Sequence, residues 1–95
     1  MTRYLSLLRF TDQGGRAIKK STTRAAAFRK AAEKAGVKVE AQYWTVGAYD
    51  GAIILSADDA KKVLRCLADL AAAGNVRTAT LQAFDAEEFD AIVGK

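Results

Sequence analysis

The chain has 95 residues, 51 % hydrophobic and 27 % charged, with a formal net charge of +4. These values fit one globular domain over residues 1–95 and exclude a disordered segment. Histidine is absent and Cys66 is the single cysteine. That rules out an internal disulfide, Ser-His or Cys-His nucleophile pairs, and most zinc sites.

No apolar run approaches 20 residues, so no membrane helix is expected. With one thiol and no charged-then-apolar leader, a cytoplasmic location is expected. Charge is uneven: residues 1–50 carry ten Lys/Arg against four acids, and residues 51–95 five against seven. Within residues 16–34, Arg16, Lys19, Lys20, Arg24, Arg29, Lys30 and Lys34 face only Glu33. No aromatics interleave with them as in a single-strand binding platform. The cluster therefore reads as a solvated helix face, and nucleic acid is not an expected partner.

Tyr4 to Phe10 reads as a first strand, too apolar to leave a face in water. Thr11 and Asp12 are good N-caps, but Gly14-Gly15 weakens the turn that follows, so the segment through Lys20 should be loosely helical. Ser21 is expected to cap a firmer helix to about Ala35. Its core stripe is Ala25, Phe28, Ala32 and Ala35, and Gly36 stops it. Val37 to Val46 is the second strand, with Val37, Val39, Ala41, Tyr43 and Thr45 on one face. Gly47-Ala48 suits a two-residue type II′ turn, with Asp50-Gly51 a rival. Tyr49 to Ser56 then returns as a central strand.

Acids at Asp58 and Asp59 favour the start of the next helix. Its apolar face is Ala60, Val63, Leu64, Leu67, Leu70 and Ala71, and Gly74 closes it. Asn75 to Phe84 forms the fourth strand. Asp85 caps a last helix, Ala86 to Val93, expected to dock through Phe89, Ile92 and Val93. This order of elements gives a four-stranded antiparallel sheet of α+β, ferredoxin-like βαββαβ type with a C-terminal helix. Helices cover one sheet face. The other is too apolar to stay in water, so a second copy is its expected cover, giving a homodimer or higher homo-oligomer.

The bend Gly47-Ala48-Tyr49-Asp50, followed by the aliphatic strand Ala52-Ile53-Ile54-Leu55, resembles that of the GYD-domain family of small bacterial proteins. The likeness extends to Tyr4–Gly14, Ala31–Val39, Gly74–Thr78 and Ala83–Phe89. One departure is Thr22 where relatives often carry proline. The resemblance implies a dimeric α/β-barrel type of fold and says little of activity. A more distant likeness joins the bend to the effector-binding domains of the Lrp/AsnC regulators, where amino acids bind near an oligomer interface. Their helix-turn-helix half has no counterpart here.

Candidate site residues are Tyr43, Trp44, Gly47, Tyr49 and Asp50, each of which also has a structural reading. Gly47 suits a positive φ, Tyr43, Trp44 and Tyr49 suit core or interface packing, and Asp50 suits a turn carboxylate that accepts backbone N–H bonds. In the functional reading they bind a small molecule near the turn, with Ser6 and Thr78 or Thr80 adding hydrogen bonds and Arg9 and Arg77 holding an anion. Cys66 reads as a packed thiol. No cofactor, metal or catalytic residue is assigned. The leading function is a homo-oligomeric, non-enzymatic binding domain. The alternatives are a cofactor-free monooxygenase or isomerase using Asp50 or a tyrosine, and a purely structural oligomerisation module.

Overall fold

Residues 1–94 are described by a computed structural model. They run as β1 (Thr2–Phe10), α1 (Asp12–Arg16), a 3-10 turn (Ile18–Lys20), α2 (Ser21–Lys34), β2 (Lys38–Trp44), β3 (Gly51–Ala57), α3 (Ala60–Ala72), β4 (Val76–Ala83) and α4 (Ala86–Val93). The sheet order is β2-β3-β1-β4, with all neighbours antiparallel. This is the ferredoxin-like arrangement expected from the order of the elements.

Register sorts the side chains onto two faces. Tyr4, Ser6 and Leu8 pair with Leu55, Ile53 and Gly51 and face the helices. There Val37, Val39, Ile53, Leu55 and Ala57 pack with Ala32 of α2 and Val63 and Cys66 of α3, flanked by Tyr4, Leu8, Phe28, Leu67 and Leu70. Ser6 is fully buried on this side and satisfied, because its hydroxyl shares a 2.9 Å hydrogen bond with that of Thr80. On the opposite face Leu5 and Leu7 pair with Ile54 and Ala52 of β3 and with Leu81 and Ala79 of β4. Tyr43 pairs with Ala52 and extends this second face onto β2.

The short α1 is latched to the α3–β4 turn. Thr11 caps it by accepting from Gly14 N–H, and donates its own hydroxyl to Gly74 O at 2.6 Å. Gln13 Nε2 donates to Ala73 O and Asn75 Oδ1. Gly14 is buried because it lies directly on the Asn75 backbone, where a Cβ would collide with the carbonyl oxygen. The glycine that weakens this helix is thus what lets it sit down.

Several expectations are corrected. A β-bulge between Val39 and Ala41 inserts Glu40 as an extra residue, so the alternation slips. Val39 stays on the core side, whereas Ala41 and Tyr43 move to the open face. Ser21 is the first residue of α2 and caps nothing; Lys20 holds the N-cap position with no side-chain bond. Ala35 lies past the end of α2 and is exposed. Leu64 is 68 % exposed, and Cys66 takes its place in the α3 stripe. Burial pushes the Cys66 thiol up, as for an inert packed cysteine.

The last helix does not dock as expected. Asp85 and Glu88 form a reciprocal capping box, and Arg3 Nη1 donates to Glu88 Oε1 at 2.8 Å, fixing where α4 leaves the sheet. Beyond that anchor Phe89, Ile92 and Val93 are exposed, at 57 %, 64 % and 57 %. Among the described residues, their apolar stripe stays mostly open to solvent.

Candidate functional site

The β2–β3 connection is a six-residue loop, Thr45–Asp50, and neither two-residue turn forms. Thr45 holds its base: its N–H donates to Asp50 O at 2.9 Å and its hydroxyl to Tyr49 O at 2.6 Å. Asp50 is drawn across to β1. Its N–H donates to Leu8 O at 2.8 Å, and its carboxylate Oδ2 accepts from Phe10 N–H at 2.8 Å. Asp50 is thus held from both sides, by Thr45 at the end of β2 and by Leu8 and Phe10 of β1, and the loop closes at the Thr45–Asp50 pair. Gly47 has φ +121° with open space around it, so backbone conformation alone calls for glycine there. Tyr49 carries the Arg9 guanidinium 4.9 Å from its ring centroid, a cation–π contact beside the loop.

Between the sheet and α2 and α3 lies a cleft of about 380 Å³, within the range of small-molecule sites. Leu8, Phe10 and Ile53 form its floor, Phe28 and Leu70 its helical wall, and Tyr43, Trp44 and Asp50 part of its rim. Trp44 is half-exposed, and its indole N–H donates to Ser21 Oγ at 2.9 Å. That bond ties the end of β2 to the start of α2. Gln42 Nε2 donates to Ala25 O at 3.0 Å, which leaves its amide oxygen as an acceptor. Arg24 enters the lining from the first turn of α2 and donates from Nη1 to Ala17 O at 2.8 Å.

Of the five expected site residues, Trp44 and Asp50 reach the cleft, Tyr43 borders it while its register turns the side chain to the open sheet face, and Gly47 and Tyr49 lie outside it. Ser6, Thr78, Thr80, Arg9 and Arg77 are not part of its lining either. Trp44 is not core. Ser21, Arg24, Phe28 and Gln42 line the cleft without having been singled out as site residues. For Arg24 a signal existed: it stands four residues before Phe28 and eight before Ala32, so helical spacing puts it in line with the apolar stripe of α2. Among the described residues, no group of His, Cys, Asp and Glu could hold a metal ion, and no helix is long and apolar enough to cross a membrane.

Comparison with known proteins agrees with this architecture. The family model of the GYD domain matches residues 4–93. A Thermus thermophilus protein described as a glutamine synthetase and cystathionine beta-lyase binding protein is 36 % identical over 84 residues, 87 % of this chain and 88 % of the relative. A crystal structure of a Thermus thermophilus protein superposes with a TM-score of 0.59 at 23 % identity, covering 90 % of this chain and 96 % of that one. That likeness is one of fold. Matched by the domain model over nearly its whole length and by a relative over most of it, the chain belongs to the GYD-domain family.

Proposed function

We propose that the protein is a homo-oligomeric, non-enzymatic binding domain that takes a small, largely apolar molecule into the cleft between its sheet and helices. The cleft itself carries this reading: an apolar floor with a few polar groups at its rim is the usual make-up of a ligand site. Trp44 and Asp50 belong to the proposed site, with Tyr43 at its border; Gly47 and Tyr49 contribute by shaping the loop beside it. Asp50 spends its carboxylate on a backbone N–H, which favours a structural role over that of a general base and so disfavours the enzymatic alternative. Assembly is supported by the uncovered face of Leu5, Leu7, Ile54 and Leu81, and by the exposed stripe of α4. Native mass spectrometry of freshly purified protein, paired with titration of Trp44 emission, tests the reading. It predicts an oligomer and an emission change with an apolar ligand; a monomer whose Trp44 answers to none would overturn it.

A second reading, that the domain binds other proteins, is favoured by the Thermus relative, a glutamine synthetase and cystathionine beta-lyase binding protein. The open sheet face, edged by Arg3, Arg9 and Arg77, is the surface that offers itself. Size-exclusion chromatography with purified glutamine synthetase tests it. Co-elution that Leu81→Asp abolishes supports it, and independent elution counts against it.

A further inference from the structure

We propose that Arg24 makes this cleft selective for small amphipathic carboxylates, an apolar body with one anionic end; this rests on the cleft being a ligand site. Arg24 is the residue that stands out from the basic run of residues 16–34, because it turns to the cleft lining while Lys19, Lys20, Lys30 and Lys34 are exposed. Its guanidinium is half satisfied. Nη1 donates to Ala17 O at 2.8 Å, whereas Nη2 is withdrawn from solvent with no hydrogen-bond partner. Among the described residues it is the buried side-chain nitrogen or oxygen left in that state. A charged donor held without an acceptor is costly, and an incoming acceptor recovers that cost.

The other charges on the cleft wall are both acidic, and each has a partner. Asp50 Oδ2 accepts from Phe10 N–H at 2.8 Å, and Asp69 Oδ1 accepts from Arg65 Nε at 3.4 Å. Arg24 is therefore the charged lining residue with an unmet donor. Nη2 itself gives up no hydrogen bond on meeting an acceptor in the cleft, whereas any turn of the rigid guanidinium also moves Nη1 and its bond to Ala17 O. A carboxylate there accepts a charge-assisted bond in a poorly solvated place. The apolar body lies on Leu8, Phe28 and Leu70. Ser21 and Gln42, at the same rim, add a hydroxyl and an amide oxygen.

Octanoate and 1-octanol differ in the head group and not in the chain, so the pair isolates the contribution of Arg24. Both are titrated against the unaltered protein by Trp44 emission and calorimetry. Octanoate is expected to bind about tenfold or more tightly than octanol. Arg24→Met should erase that preference while octanol binding persists, and Arg24→Lys should restore part of it. A merely structural Arg24 would weaken both probes alike. Should Arg24→Met fail to fold, side-chain nitrogen NMR of the unaltered protein decides: octanoate, but not octanol, is expected to shift the Arg24 guanidinium signal. Equal affinities, a preference that survives Arg24→Met, or a guanidinium signal that octanoate leaves unmoved would each overturn the proposal. Octanol binding alone would do so and leave the cleft reading standing. Binding of neither probe would bring down both.

Discussion

Replacing Asp50 with alanine removes the acceptor that holds Phe10 N–H at 2.8 Å. That N–H lies at the end of β1 beside the cleft, where the hydrogen bond is partly buried. An amide left there without a partner costs about 1–3 kcal/mol, and the upper half applies because the lost acceptor is charged. Asp50→Ala is therefore expected to destabilise by about 2 kcal/mol. For a domain of this size that lowers Tm by roughly 8–16 °C. Asp50→Asn keeps an oxygen in the same place and should lose less than about 1 kcal/mol, since only the charge assistance goes. The contacts made by the Asp50 backbone with Leu8 and Thr45 survive both changes. Thermal unfolding followed by circular dichroism, at one fixed protein concentration because association shifts Tm, measures the pair. An alanine variant that melts with the parent, or an asparagine variant as damaged as alanine, would refute the assignment of Asp50 as the staple between the loop and β1.

Gly14→Ala drives a methyl group into the Asn75 carbonyl and should cost more than about 2 kcal/mol despite alanine's better helix propensity; denaturant unfolding reads it. Leu55→Ala, at a fully buried central-strand position, should cost about 2–5 kcal/mol. Trp44→Ala should cost less than that, because the ring is half-exposed and loses one hydrogen bond to Ser21; equal losses would mean that Trp44 is core after all. The carboxyl of Glu88 sits below its ordinary value of 4.5 through the Asp85 N–H and then the Arg3 guanidinium. That of Glu40 is lowered by the Ser56 hydroxyl and then Lys38. Groups lowered by folding stabilise above their unfolded value and lose that contribution as pH falls through the folded one. Tm should therefore drop on acidification below about 4.5, and Glu88→Gln should flatten part of that slope; an unchanged slope would remove Glu88 from the account.

Much of the fold was legible because its signals are local. Thr11 and Asp85 cap their helices, Gly36 and Gly74 take the positive φ of helix stops, and the apolar run Ala52–Leu55 reads directly as a central strand. What escaped depends on contacts distant in sequence. Nothing near Glu40 announces a bulge, yet one extra residue exchanges the faces of Ala41 and Tyr43. Gly47-Ala48 is a good two-residue turn in isolation, and it loses because Asp50 is 40 residues from its partner Phe10. The amphipathic pattern of α4 is genuine, but periodicity says that a face must be covered and not which surface covers it. For the site, aromatic content pointed to Tyr43 and Trp44. Arg24 stayed hidden among seven basic residues of one segment until the fold turned it to the cleft.

The central claim, that a second copy covers the open sheet face, is tested most directly by native mass spectrometry of the parent beside Leu81→Asp. Leu81 is 54 % exposed in the single chain, so a carboxylate there should leave the protomer folded while burying a charge in any interface formed by that face. The account predicts a dimer or larger assembly for the parent and folded monomers for the variant. A parent that is monomeric at micromolar concentration, or an assembly that Leu81→Asp leaves intact, would contradict it.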